Sequence, residues 1–310
     1  MGNYLRSSFW KPDIAIDLGT AMTRIASGTR NLFVVPSIVR GRSVLRSGII
    51  RDDSSVVELL QPLLYKVRKF GIVRPNVVAC VPSDASTAEL DAVRECIFKA
   101  GASTVFIVPE PLAAAIGAGM DVASPYAGMI VDIGEGVTDC AVIRSGKIIT
   151  KRAVRVGCYD LRRLLTKTLS AENKICISED EAERIVRETG VSRTALSAGW
   201  ITFPGRTERR RSTESISMPV KEIQEQIEPV TRVIVDVAHG LLQDLSPGIG
   251  CEIIENGIFL SGGGALLKGM RERFESRTHI PVILPSKPLE SVVTGAREML
   301  PIVALLNKRI

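Results

Sequence analysis

The chain has 310 residues, with 40 Lys and Arg against 34 Asp and Glu, a formal charge of +6 and 45% hydrophobic residues. At roughly 100–200 residues per domain this leaves room for two packed domains, and the apolar content with 24% charged residues excludes a disordered or collagen-like chain. The basic residues are spread along the chain rather than gathered in one tail, so dedicated nucleic-acid binding is not implied and no nucleic-acid partner is expected.

The cysteines, Cys80, Cys96, Cys140, Cys158, Cys176 and Cys251, show no CxxC-type spacing, so neither a zinc site nor a redox dithiol is expected. Most lie in apolar runs, which suits buried free thiols in a reducing cytosol. His239 and His279 stand far apart and offer little material for a His-based triad or metal site. No run reaches the roughly 18–20 apolar residues that span a bilayer. The opening MGNYLRSSFWKPD lacks the apolar core of a secretory signal, and a cytoplasmic location is expected. That segment alternates basic and large apolar side chains. It reads either as a frayed terminus packing one aromatic on the body or as a surface anchor with Phe9 and Trp10 at the membrane interface.

Asp13-Ile-Ala-Ile-Asp17-Leu-Gly-Thr-Ala-Met-Thr23-Arg-Ile-Ala opens the chain as strand, glycine turn and strand. The form recurs in Met129-Ile-Val-Asp132-Ile-Gly-Glu-Gly-Val-Thr138-Asp-Cys-Ala-Val-Ile143. Two such hairpins suggest a duplicated architecture with a cleft between its halves. Glycine lets successive N–H groups turn toward an anion, and the Thr hydroxyls add donors. Asp17 and Asp132, at the strand ends, would repel phosphate directly but suit Mg²⁺ or its water shell.

Between the hairpins, Arg40 to Ser47 reads as a short linker, Asn76–Val81 as a strand and Thr87–Ala100 as a helix closed by Gly101. Beyond the second hairpin, Gly205 to Ser212 is a basic, polar stretch that reads first as a solvated loop. Val220–Leu245 reads as a long helix with a break near Pro229, and Leu289–Asn307 as a helix interrupted at Pro301. Ile258-Phe-Leu-Ser-Gly262-Gly-Gly264-Ala-Leu-Leu-Lys268 reads as a buried strand, a glycine turn and a helix start, which brings backbone against a nucleotide. It has neither the G-x-G-x-x-G spacing nor the Lys of a Walker loop.

With IDLGTAMT, VVACVPSDAST, PEPLAAAIGAG, MIVDIGEGVTD and FLSGGGALLKGM in this order, the sequence resembles the actin, sugar-kinase and heat-shock-chaperone superfamily. Within it the sequence is most similar to the MreB family of bacterial actins. The resemblance implies an α/β, actin-like ATPase fold: two related ribonuclease-H-like domains flanking a nucleotide cleft. It implies a first half of residues 1–123 plus 287–310, with a shortened outer subdomain at about 32–50. The second half would be residues 124–286, with its outer subdomain at about 156–224. It further implies ATP and Mg²⁺ in the cleft, self-association into filaments, an anionic cytoplasmic membrane and cell-wall elongation proteins as partners, and a role in cell shape at the inner face of the cell membrane.

Carried over residue by residue, Asp17 and Asp132 match the metal-side carboxylates. Gly19, Thr20, Ala21 and Met22 match the first phosphate loop, and Gly134, Glu135, Gly136 and Val137 the second. Glu110 matches the glutamate that polarises the attacking water. Glu183, Arg184, Val186 and Arg187 lie where the family's helix reaches the adenosine, and Gly262, Gly263, Gly264 and Ala265 match the turn against adenine and ribose. Ile72 and Val73, with Lys66, Arg68, Lys69 and Arg74 nearby, resemble the family's hydrophobic membrane loop, and equally read as the start of the following strand.

The chain departs from the family pattern at Met22, where the family has Asn, at Glu135, where it has Gly, and at Val137, where it has Thr. Val186 aligns with the adenosine-side Lys, for which Arg184 or Arg187 is a substitute. A carboxylate beside phosphates opposes binding unless it turns away or meets the metal. Weak hydrolysis is therefore expected, and a hydrolysis-poor scaffold that regulates a family member is the alternative reading.

Overall fold

Apolar residues fill the first strand, β1 (Asp13–Leu18), so fully that Ile14 to Leu18 are all buried, as a central strand covered on both faces requires. The computed structural model describes residues 13–28, 31–192, 199–207 and 213–306. β1 turns back into β2 (Met22–Ser27), which pairs antiparallel with it and with β3 (Asn31–Pro36). Two small hairpins follow, β4 (Ile38–Val39) with β5 (Arg42–Ser43) and β6 (Leu45–Arg46) with β7 (Ile49–Ile50). The expected linker is therefore folded. Arg40-Gly41 and Ser47-Gly48 form its turns, both residues of each pair at positive φ, the pattern of two-residue hairpin loops.

Helix α1 (Asp53–Lys66), strand β8 (Asn76–Val81), helix α2 (Thr87–Lys99), strand β9 (Thr104–Pro109) and helix α3 (Glu110–Gly117) complete this half. The sheet order is β3-β2-β1-β8-β9, with β8 and β9 parallel to β1. Ser86 caps α2 reciprocally with Glu89, and the helix ends at Ala100 before Gly101.

The second half repeats the plan. Strands β10 (Gly128–Ile133), β11 (Thr138–Arg144) and β12 (Lys147–Val154) form the antiparallel part. They are followed by α4 (Cys158–Ala171), β13 (Ile175–Cys176), α5 (Glu179–Thr189), β14 (Trp200–Thr207), β15 (Thr213–Pro219), α6 (Val220–Gln243) and α7 (Pro247–Asn256). Next come β16 (Ile258–Ser261), a 3₁₀ turn at Gly263–Leu266, α8 (Met270–Thr278), β17 (Val282–Ile283) and α9 (Ser291–Leu306). The order β12-β11-β10-β16-β17 is that of the first sheet, position for position, which is the structural expression of the sequence repeat. β13, β14 and β15 form a separate outer sheet.

Each sheet has its own core. Leu60, Leu64, Val93 and Ile97 of α1 and α2 pack on the first, and Leu161, Leu165, Ile227 and Ile234 of α4 and α6 on the second. A third cluster joins the halves, with Ala113, Ala114, Val293 and Ala296 of α3 and α9 between Ala15 and Val78 on one side and Ile130 and Ala141 on the other. Here α3 and α9 cross at Gly117 and Gly295. A Cβ on Gly117 would stand 1.9 Å from the Ser291 carbonyl oxygen, and one on Gly295 1.9 Å from that of Ala113. Only glycine permits backbones this close.

Two expected breaks are absent. α6 runs unbroken through Pro229 and α9 through Pro301. Pro229 and Glu225 lie on the exposed side of α6, so water can take the Glu225 carbonyl that the proline leaves without its N–H donor.

Candidate functional site

The two hairpins aim their turns at one cleft of about 660 Å³. β1 and β10 deliver Asp17 and Asp132 to its floor, both buried. Asp17 stands opposite Arg24 in the β1–β2 register and accepts a bond from Arg24 Nη1 at 3.4 Å. Burial pushes the Asp17 carboxyl up to about 6, against the pull of Arg24 and with a smaller push from Asp132. Asp132 stands opposite Ser261 of β16 and accepts from its Oγ at 2.5 Å. Its carboxyl is also raised by burial, opposed by Ser261. Glu110, the first residue of α3, completes the floor, and burial followed by Asp17 and Asp132 holds its carboxyl well above the usual range. Three converging acids thus share a site whose neutral state is an uncharged or cation-filled one.

Above the floor lie the two loops. Ser37 braces the first, its Oγ donating to the Gly19 carbonyl at 2.6 Å and its N–H to that of Ala21 at 2.8 Å. The Gly48 N–H donates to Thr20 Oγ1 at 3.0 Å, so the Ser47–Gly48 hairpin tip reaches the first loop. In the second loop the N–H of Gly134 donates to the Val137 carbonyl at 2.8 Å. The N-terminus of α4 rests on that loop, Cys158 N–H donating to Gly134 and Tyr159 N–H to Glu135. Arg162, one turn further along α4, pairs with both carboxylate oxygens of Glu135. The acid that replaces a loop glycine is thereby held by a guanidinium of its own half.

The halves are stitched beside the loops. Asp139 of β11 accepts from the Ser83 N–H at 2.5 Å and from Ser83 Oγ at 2.6 Å. Burial pushes the Asp139 carboxyl up to about 7 against those two bonds. Arg155 donates to the Ser47 carbonyl at 2.9 Å and pairs with Asp84 at 2.8 Å.

Of the residues singled out in the sequence, Asp17, Gly19, Thr20, Ala21, Met22, Glu110, Asp132, Gly134, Glu135, Gly136, Val137, Glu183, Val186, Arg187, Gly262 and Gly263 line the cleft together. Arg184, Gly264 and Ala265 do not. Arg184 turns outward to Glu181, Glu188 and the Thr202 carbonyl, which satisfy its donors. Gly264 and Ala265 are buried beneath the turn, and a Cβ on Gly264 would stand 2.2 Å from Ile133 Cγ2. Arg24, Gly48, Arg162, Leu266, Lys268 and Leu289 also line the cleft; Arg24, Leu266 and Lys268 lie within the quoted motifs without having been singled out, and no local pattern marked the other three. The β1–β2 register alone would have placed Arg24 beside Asp17.

Away from the cleft, Lys69 and Val73 bridge a three-residue turn. Phe70 and Ile72 project from it, 75% and 81% exposed, whereas Val73 is half-buried by that bridge. The exposed apolar tip is thus Phe70 and Ile72 rather than Ile72 and Val73. Phe9, Trp10 and the basic residues Arg209 to Arg211 lie outside the described residues. No described helix is long and apolar enough to cross a membrane.

Residues 36–308 match the MreB/Mbl protein family. The chain is 29% identical to the cell shape-determining protein Mbl of Bacillus subtilis, over 96% of this chain and 98% of that one. It is 30% identical to the cell shape-determining protein MreB of Escherichia coli, over 93% of each. The crystal structure of MreB5 of Spiroplasma citri bound to ADP superposes with a TM-score of 0.89 at 24% identity, covering 96% of this chain and 98% of that one. The MamK double helical filament superposes with a TM-score of 0.75 at 17% identity, covering 93% and 98%. Both share the two-sheet, actin-like fold described above. With the family matched over nearly the whole length and the architecture shared throughout, the chain belongs to the MreB/Mbl family of actin-like, cell shape-determining proteins.

Proposed function

We propose that the chain binds ATP in the cleft, assembles into filaments on the inner face of the cell membrane, and helps set cell shape by organising the cell-wall elongation proteins. The observation that carries this reading is the convergence of both hairpin loops and the Gly262–Gly263 turn on one cleft with Asp17 and Asp132 at its floor. Two relatives support it: MreB5 of Spiroplasma citri is bound to ADP in one crystal structure and to AMPPNP in another. The MamK structure is itself a filament.

Mg²⁺ fits the floor. It takes one or two carboxylates and keeps its waters, and Asp17 and Asp132 are two buried carboxylates whose ionised forms need a cation. When bound it would neutralise phosphate charge there. Met22 and Val137 present no hydrogen-bonding side chain to the phosphates, so the loops would act through backbone N–H groups. Glu110, on the cleft floor, would orient a water against the terminal phosphate. With no hydroxyl at Val137 to help position that water, slow hydrolysis is expected.

Membrane contact is assigned to Phe70 and Ile72, with Lys66, Arg68, Lys69 and Arg74 supplying attraction to anionic headgroups. The return of α9 onto β1, β8 and α3 supports grouping residues 287–310 with residues 1–123. Sedimentation of the full chain with ATP, ADP or neither, alone and with anionic vesicles, together with phosphate release, tests the reading. ATP-dependent pelleting and vesicle capture are expected. A protein that binds no nucleotide and stays in the supernatant under every condition would overturn it.

A further inference from the structure

The cleft holds a cation of its own where the metal-side carboxylate lies. Arg24 projects from β2 in register with Asp17, its side chain lining the cleft and 15% exposed, with one long contact of 3.4 Å to Asp17 Oδ2. A guanidinium carries five donors in a planar fork. Among the described residues that is its one contact, which leaves most of the fork for a ligand in the same space. Other cations on the lining are placed differently. Arg162 is engaged by both oxygens of Glu135, Lys268 Nζ donates to the Glu188 carbonyl at 3.1 Å, and Arg187 belongs to α5. Among the described residues Arg24 is therefore the guanidinium at the three-acid floor.

We propose that Arg24 is a phosphate-binding residue, a built-in cation that bridges Asp17 and the nucleotide's polyphosphate, so that nucleotide binding in this chain depends only partly on a divalent ion. The inference rests on the nucleotide-binding reading above and adds to it a residue and a metal requirement. When ionised, Asp17 and Asp132 bring negative charge to the floor, and a polyphosphate brings more. Without a cation between them the ligand would be repelled. A divalent ion and Arg24 are alternative answers to that repulsion, and they compete for the same Asp17 oxygen. An arginine can hold Asp17 with one N–H and a phosphate oxygen pair with the others, which a hydrated metal also does through its waters.

The test is equilibrium binding of ATP and ADP to the full chain, with excess Mg²⁺ and with EDTA, for the native protein, Arg24→Leu and Arg24→Lys. Circular dichroism and melting controls establish that each variant is folded. The native protein is expected to lose about threefold or less in affinity when Mg²⁺ is removed, and Arg24→Leu about tenfold or more. Arg24→Lys should fall between, keeping the charge without the fork. Should Arg24→Leu not fold, the ratio for Arg24→Lys against native protein decides: an unchanged ratio overturns the proposal. Tight binding in Mg²⁺ that collapses equally for all three proteins in EDTA would also overturn it while leaving nucleotide binding intact. No binding in either condition would instead overturn the nucleotide-binding reading itself, and this proposal with it.

Discussion

Glu135 and Arg162 form a two-point ion pair within the second half, which holds the carboxylate of the second glycine loop against a guanidinium. Arg162 is buried enough, at 14% side-chain exposure, for the pair to act at reduced dielectric. Arg162→Ala leaves the Glu135 charge uncompensated beside the ligand, and ATP affinity should fall about tenfold. Glu135→Gly in the same chain should restore most of it. Nucleotide titration of the two variants and the double mutant measures the coupling; additive losses would separate the pair from binding.

The Asp139–Ser83 contact joins the halves and carries a pH signature. Asp139 is raised to about 7 in the folded protein from 3.8, so the folded state holds its proton more tightly than the unfolded chain. Its contribution is present in full below about pH 4 and is lost as pH rises through about 7. Asp17, raised to about 6, acts in the same direction. Urea denaturation of native protein and Asp139→Asn at several pH values isolates the effect. The stability difference should move in favour of Asn as pH rises from 4 to 8.

The crossing of α3 and α9 tolerates no side chain at its centre. Gly117→Ala or Gly295→Ala places a methyl 1.9 Å from a backbone oxygen, so the helices must separate. A loss of about 2–4 kcal/mol in unfolding free energy is expected. Gly248→Ala, where no atom lies within 4 Å of the added Cβ, is the control and should be near neutral.

Phe70→Ser with Ile72→Ser should abolish co-sedimentation with anionic vesicles and leave stability within about 0.5 kcal/mol, since both side chains are exposed. Val73→Ser, at the half-buried base of the turn, should cost stability first. Raised salt should weaken vesicle binding of the native protein through the neighbouring lysines and arginines.

Glu110→Gln removes a buried acid that burial and three carboxylates, Asp17, Asp132 and Asp139, already disfavour as an anion. The variant should melt at the same temperature or higher, and phosphate release should fall at least about tenfold with ATP affinity little changed. Equal release from both proteins would remove Glu110 from the chemistry.

What the sequence determined by itself is local or repeated. The hairpins Asp13–Ser27 and Gly128–Arg144 are legible because strand, glycine turn and strand lie within one short window, and their recurrence announces two like halves. Asp17, Asp132, Glu110 and the loop glycines each belong to a contiguous motif, and the structure brings them to one cleft. The tertiary structure decided what depends on distant partners. Arg24 and Asp17 are seven residues apart, but their shared place on the cleft floor needs the second half to enclose it. Arg162 reaches Glu135 only because the N-terminus of α4 lands on the second loop. Arg184 and Gly264 fit the site pattern in sequence, yet one is drawn outward by Glu181 and Glu188 and the other is pressed under Ile133. The continuity of α6 through Pro229 depends on which side of the helix faces water. Backbone pattern encodes the framework at short range, whereas the charges that tune the cleft are set by contacts that exist only once both halves have folded around it.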